Sequence, residues 1–358
     1  MAIALWRKSM PVSSLPQSQE SAPAWHLLGR ALELTAPALR GGVGRLPREM
    51  RVLAGYHLGW LDEHGRTVNG PALGKVVRPA LVYASCEAVG GSAKDAIGAA
   101  VAVELVHNFS LVHDDVIDRD ELRRHRPTVW RQFGIPAALL GGDAMLTLAL
   151  HVLADTPDID VSRAVQVLAH ATLELIEGEA MDTAFEQRSD VTVAEYVAMA
   201  GGKTGALMWA ACTLGALAGG AERGRIHHLA RFGRHVGLAF QITDDLLGLY
   251  GDAKVTGKPV GRDLATRKKT YPVLAAMATD TTAGQKLAAM YARLGPLDDP
   301  LVPQAVLLIE ESGGRRAAEQ AAAQELQRAF AALTEAVPEP RAAADLKALA
   351  HLMAHRAT

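Results

Sequence analysis

The residues of this chain best able to do chemistry lie in two acidic clusters about 130 residues apart. One is His113-Asp114-Asp115-Val116-Ile117-Asp118; the other is Gln241-Ile242-Thr243-Asp244-Asp245-Leu246-Leu247-Gly248. Each follows a long apolar stretch, so its carboxylates sit on elements that are otherwise buried, where an uncompensated carboxylate is costly. On a helix turning about 100° per residue, His107, Leu111, Asp114 and Asp118 share one stripe, and Asp115 falls on its flank. In the second cluster Gln241, Asp244, Asp245 and Gly248 are spaced i, i+3, i+4, i+7, again on one face. Oxygen donors without His or Cys partners favour a hard ion, and Mg²⁺ keeps several waters while taking one or two carboxylates plus substrate phosphates. A single cluster of this kind is as often a solvated helix face. Two of them, each embedded in apolar sequence, favour a metal site.

Basic residues recur close to both clusters. Gly74-Lys75-Val76-Val77-Arg78-Pro79 places Lys75 and Arg78 on adjacent turns of one face, Arg123-Arg124 follow the first cluster, and Lys258 and Lys268 follow the second. Gly202-Lys203-Thr204-Gly205 predicts a helix start after a glycine pair, with free backbone donors. Lys203 is outside any Walker A loop, whose upstream glycine spacing is missing. Arg forks and Lys point charges are the side chains that hold phosphate oxygens. Taken singly, each of these short motifs reads as solvated surface; together they fit an anionic ligand held through metal ions.

The elements that carry these residues are helical. Ala and Leu dominate, aromatics are 5%, hydrophobic residues are 49%, and no stretch alternates β-branched and polar residues. Helical periodicity recurs at 25–40, 48–62, 74–89, 93–117, 128–133, 136–153, 161–187, 193–199, 203–219, 225–250, 270–279, 283–294, 301–311, 315–335 and 341–355, with Gly and Pro at most joins. Residues 1–24, rich in Ser, Pro and Gln, read as a disordered tail, and 25–358 as one all-α domain. No fixed-period repeat occurs, which excludes a solenoid.

A net charge of −2 and a pI near 6.7 offer no basic face for nucleic acid. Cys86 and Cys212 sit in apolar helical patterns with no zinc or disulfide spacing, which fits a reducing, cytoplasmic setting. The longest nearly uncharged run, Ala206 to Ala221, is short of the roughly 20 residues that span a bilayer. Ala2 to Trp6 is too short for a signal-peptide core. The expectation is a protein without stable membrane insertion.

In order and spacing, these motifs resemble the trans-isoprenyl diphosphate synthase (polyprenyl synthetase) family over residues 45 to 350. They run GKxxRP, HDDxxD with Arg-Arg nine and ten residues after its first Asp, KT, FQxxDD, and GKPxGxDLxxxK. Within it the chain looks most like actinobacterial geranylgeranyl diphosphate synthases, through Val-Glu-Leu-Val-His-Asn-Phe-Ser before the first cluster and Gly-Leu-Ala-Phe-Gln before the second.

The resemblance implies an all-α isoprenoid synthase bundle around a deep central cavity, usually a homodimer. It implies head-to-tail condensation of isopentenyl diphosphate with an allylic diphosphate, with Mg²⁺, three ions once the allylic diphosphate is bound. By motif position Lys75, Arg78, His107 and Arg124 would hold isopentenyl diphosphate, and Arg123, Lys203, Thr204, Gln241, Lys258 and Lys268 the allylic diphosphate. Asp114, Asp118 and Asp244 would bind metal, and Asp115, Lys203 and Lys258 would join them in catalysis. Phe109, five residues before Asp114, would limit the product to the C20 geranylgeranyl chain, although the helical wheel places Ser110 nearer the carboxylate stripe.

Three positions depart from the pattern: Val76 where many members have Arg, His125 where Gly is usual, and Gly248 for the final Asp of the second cluster. Farnesyl (C15) and longer (C25 and beyond) products are the alternatives, as is a non-catalytic partner subunit, whose expected sign is loss of DDxxD or the Lys/Arg set. A class I terpene cyclase would need an NxxxSxxxE-type second site, which does not occur. An HD-type phosphohydrolase would need His and Asp spacings that are not evident around His113.

Overall fold

A computed structural model describes residues 22–68, 74, 76–250, 262–293, 295, 297 and 300–354. Lys75, Lys258 and residues 1–21 of the expected tail lie outside these. The chain folds into two compact units, each assembled from three chain segments. As expected, the architecture is all-α.

The first unit takes the chain as far as Ala169, then Ala210–His227 and Pro338–Leu349. It holds α1 (Ala22–Gly44), α2 (Arg48–His57), α3 (Val77–Ala88), α4 (Ile97–Ile117), α5 (Val129–Phe133) and α6 (Ile135–Ala154). The helix α1 extends three residues before and four beyond the periodicity expected at 25–40. A 3-10 turn, Ala93–Ala96, leads into α4 and begins with a capping box. The Ser92 hydroxyl accepts from the Lys94 N–H at 3.4 Å and the Asp95 carboxylate accepts from the Ser92 N–H at 3.1 Å, which satisfies donors at the turn leading into the helix. Apolar on nearly every side, α4 buries Val101, Leu105, Val106 and Val112, and α6 packs along it.

The segment between the helices expected at 93–117 and 128–133 is a short hairpin. Leu122–Arg123 pairs antiparallel with Arg126–Pro127, and the two-residue turn Arg124-His125 has φ of 51° and 62°. Positive φ at both positions is the type I′ geometry that twists in step with a hairpin and normally recruits Asn-Gly. Here two bulky side chains adopt it.

The second unit comprises His170–Trp209, His228–Val337 and the residues from Ala350. Here α7 (Val161–Phe185) enters from the first unit, and α8 (Val193–Ala200) continues through a π-helical turn, Gly201–Gly205, into α9 (Ala206–Ala218), which belongs to the first unit from Ala210 onward. Next comes α10 (Arg223–Tyr250), which carries the second acidic cluster. The short α11 (Arg262–Ala265) precedes α12 (Tyr271–Met277), α13 (Thr282–Tyr291), α14 (Leu301–Glu311) and α15 (Gly314–Glu335); α16 (Pro340–Ala354) then runs in the first unit as far as Leu349 and in the second from Ala350. One core gathers Leu249, Leu264, Val273, Leu287 and Ile309; another gathers Tyr196, Met199, Leu238, Ile242 and Leu274. The expected helix start after Gly201-Gly202 is overturned, because the backbone there is already helical and continuous with α8.

Among the described residues two helices, Ala93–Ile117 and Ile135–Ala154, are long and apolar enough by length and composition to cross a membrane, although neither contains a long uncharged run. Single charges such as Glu104 and Asp143 break a run without making a segment polar. The first is 72% buried and is a core helix; the second is 39% buried and exposes Ile135, Leu139 and Leu140.

Candidate active site

Asp114, Asp115 and Asp118 occupy the last turn of α4, where the helix dipole disfavours anions and invites cations. The helix separates them. Asp115 is 1% exposed and accepts hydrogen bonds from Arg123 Nε at 2.8 Å and from its terminal nitrogen at 2.7 Å. Burial, partly offset by Arg123, pushes its carboxyl above the usual range. Asp114 is half-buried and Asp118, capping the helix, is exposed. Asp115 therefore ties the hairpin to α4, while Asp114 and Asp118, one turn apart, are the solvent-accessible carboxylates.

A group of polar side chains gathers around the buried carboxylate of Glu104, 3% exposed. Asn108 Nδ2 donates to its Oε1 at 3.2 Å, and the Asn108 Oδ1 lies 3.1 Å from His57 Nε2. Burial pushes Glu104 up, opposed chiefly by the positive charge of Arg78, and Arg124 acts on it too. Burial and then Arg124 and Arg123 push His57 down to about 3. Burial and then Arg78, Arg124 and Arg123 hold His107 well below the usual imidazole range. Both rings are therefore neutral at pH 7 beside the guanidinium groups of Arg78, Arg123 and Arg124. Gly74 lies close to this group, since a Cβ there would be 2.9 Å from a terminal nitrogen of Arg124. Arg78, His107 and Arg124 thus share one electrostatic neighbourhood.

In the second unit the π-turn presents Lys203, whose Nζ sits 2.7 Å from Glu179 and 2.6 Å from Asp182; Lys268 Nζ is 3.5 Å from Asp182. Burial works against both lysines, but Asp182, joined by Glu179 for Lys203, outweighs it, so both stay charged. Asp182 is pushed up by burial and drawn down further by Lys268 and Lys203, so it remains a carboxylate. The turn lies directly against α7, since a Cβ on Gly178 would be 2.2 Å from the Lys203 backbone nitrogen.

The second acidic pair divides as the first does. Asp245, 4% exposed, accepts from Tyr196 OH at 2.6 Å and from the Tyr271 N–H at 2.9 Å, and burial pushes it up to about 7. Asp244 is exposed. Thr204 Oγ1 donates to Gln241 Oε1 at 2.6 Å, and Gln241 Nε2 reaches Asp245 at 3.3 Å. A Cβ on Gly248 would meet an Asp263 carboxylate oxygen at 2.6 Å, so Asp263 takes up the space that the missing aspartate would need.

The donor set fits Mg²⁺ rather than a caged metal. Among the described residues no three His, Cys, Asp or Glu side chains converge as a ready-made site. Each helix offers accessible carboxylate oxygens only, which suits an ion that retains water and takes further ligands from a phosphate substrate. Sequence reading missed His57, Glu104, Glu179, Asp182 and Tyr196. Glu179 and Asp182 at i, i+3 on an amphipathic helix carry no signal of their own; only the lysines brought to them by the fold mark them. Phe109 and Ser110 are both buried, at 5% and 8% exposure, and the Ser110 hydroxyl donates to the His107 carbonyl at 2.9 Å.

Residues 61–306 match the family model described as polyprenyl synthetase. The chain is 49% identical over 334 residues to a (2E,6E)-farnesyl diphosphate synthase of Mycobacterium tuberculosis, covering 92% of each. It is 44% identical over 331 residues to a geranylgeranyl diphosphate synthase of the same species, covering 92% of this chain and 93% of that one. A crystal structure of a polyprenyl synthetase from Streptomyces coelicolor superposes with a TM-score of 0.87 at 41% identity, over 92% of this chain and 98% of that one. With the motif order and the all-α architecture, these matches place the chain in the polyprenyl synthetase family.

Proposed function

We propose that this prenyl diphosphate synthase condenses isopentenyl diphosphate head-to-tail with allylic diphosphates and stops at geranylgeranyl diphosphate, C20. The observation that carries the reading is the division of labour in both acidic pairs. Asp115 and Asp245 are buried and bonded, whereas Asp114, Asp118 and Asp244 stay accessible for Mg²⁺ and diphosphate. Arg78, Arg124 and the neutral His107, with Lys75, hold the isopentenyl diphosphate. Lys203, Lys268, Thr204, Gln241 and Lys258 hold the allylic diphosphate. An ammonium has three donors, so the two ion pairs of Lys203 leave one for a phosphate oxygen. Arg123 acts through Asp115, orienting the hairpin that carries Arg124.

When bound, Mg²⁺, three ions with the allylic substrate in place, supplies compensation for the charge that develops on the departing diphosphate. The allylic C–O bond breaks, the isopentenyl double bond attacks the resulting cation, and a proton is lost, for which the released pyrophosphate is the base. The pre-set lysines and arginines meet the growing negative charge without reorganising.

The C20 assignment rests on Phe109, an aromatic five residues before Asp114. The 49% identical farnesyl relative favours a C15 product as the second reading. Incubating the protein with Mg²⁺, isopentenyl diphosphate and each of dimethylallyl, geranyl and farnesyl diphosphate, with chain length read by mass spectrometry, separates them. Conversion of farnesyl diphosphate to a C20 product supports our reading, arrest at C15 supports the second, and no turnover with any primer supports a non-catalytic partner. Residues 25–358 act as one catalytic domain, cytoplasmic, and paired in a homodimer through the exposed apolar face of α6.

A further inference from the structure

His113 precedes the first metal-facing aspartate, yet the mechanism gives it no task. Its ring lies edge-on to Phe109, one helical turn earlier on α4, with centroids 4.8 Å apart and planes at 68°. Nε2 lies 3.1 Å from the Leu139 carbonyl oxygen of α6; a carbonyl only accepts, so Nε2 carries the hydrogen. The same nitrogen is 3.8 Å from the Asp143 carboxylate. A Cβ on Gly142 would lie 2.3 Å from it, so the imidazole occupies space that exists only because residue 142 has no side chain. The ring is thus fixed from both sides, by a hydrogen bond to α6 and by the T-shaped contact with Phe109, with 22% of its side chain exposed.

We infer that His113 is a positioning residue that fastens Phe109 to α6 and thereby sets the product length. The inference rests on the reading that Phe109 is the stop for the growing chain. A phenyl ring held only by its own rotamer yields to a growing prenyl tail; one backed by an imidazole bonded to a neighbouring helix does not. Stiffness at this position converts a bulky residue into a sharp limit, and the α6 backbone at Leu139–Gly142 is part of the ruler.

The test compares Phe109→Ala, His113→Ala, Gly142→Ala and the double variant F109A/H113A. Each is given labelled isopentenyl diphosphate and dimethylallyl diphosphate, and products are resolved by chain length. His113→Ala and Gly142→Ala are each expected to raise the ratio of over-length to normal product about tenfold, the scale of discrimination that a few atoms of a hydrophobic pocket provide. The double variant should match Phe109→Ala alone, because His113 acts only through that ring. In Gly142→Ala, kcat/KM for the first condensation should change less than about threefold, which a general loss of structure would not allow. If His113→Ala does not fold, His113→Gln, which keeps a donor for Leu139 but no ring, takes its place. An unchanged ladder in the His113 and Gly142 variants beside a lengthened one in Phe109→Ala overturns the inference and leaves the stop intact. An unchanged ladder in Phe109→Ala itself overturns the stop, and the inference with it.

Discussion

Asp115 and Asp245 are each the second of two consecutive aspartates, buried and bonded to neighbouring elements, while Asp114 and Asp244 remain accessible. Substitutions within a pair should therefore fail in different ways. Asp114→Ala is expected to lose about 10²- to 10³-fold in turnover, as for removal of one charge-stabilising group, while thermal unfolding stays within about 2 °C of wild type. Asp115→Ala strands Arg123 in a partly buried place and should lower urea-measured stability by about 2–3 kcal/mol. His57 gives a pH test. Its folded value, about 3, lies below the ordinary 6.5, so between the two the unfolded chain binds more protons and stability falls as pH drops. Between pH 6.5 and 5 this amounts to about 2 kcal/mol, and His57→Gln should remove that part of the slope in denaturation curves measured across pH. The candidate metal and cation positions stand out in the sequence because DDxxD and its flanking cations are local patterns, whereas Glu179 and Asp182 carry no such pattern. The division of each aspartate pair into accessible and buried partners was not legible there, since two residues 100° apart look alike until neighbouring helices choose which one to cover.

At the scale of elements, the helices follow from apolar periodicity and glycine punctuation, and 301–311 was placed at both ends. Periodicity misleads where backbone geometry is unusual. The π-turn of Gly201–Gly205 reads as a helix start because glycines normally interrupt; here they let helices touch, with Gly178 against Lys203. A π-turn widens the helix locally and re-aims its side chains, and such turns are frequent at functional sites. Gly178→Ala should cost about 2–3 kcal/mol in stability by overpacking against backbone, and should weaken allylic substrate binding through Lys203, seen as a raised KM. The hairpin offers the opposite sign. His125 sits at φ 62°, where a Cβ is unfavourable by about 1–2 kcal/mol, so His125→Gly should raise the melting temperature by several degrees without lowering kcat.

At the scale of the whole molecule, exposed Ile135, Leu139 and Leu140 on α6 form an apolar surface that a second copy would cover in the proposed homodimer. Leu140→Glu, at a position 57% exposed, should shift sedimentation from dimer towards monomer at micromolar concentration. The composition-based class, all-α with no basic face, follows from global averages that one sequence supplies. The division into units does not, because it depends on contacts between segments more than a hundred residues apart.

The chain enters and leaves each unit repeatedly, and of its five changeovers four, at Ala169, Trp209, His227 and Leu349, fall inside helices. Neither unit is therefore a contiguous stretch of gene, and no single crossover between two synthase genes exchanges one whole unit while leaving the other untouched. Recombination has little grip on such a layout. Changes of product length are then left to single substitutions, of which, if Phe109 is the proposed stop, those around it are the nearest to hand.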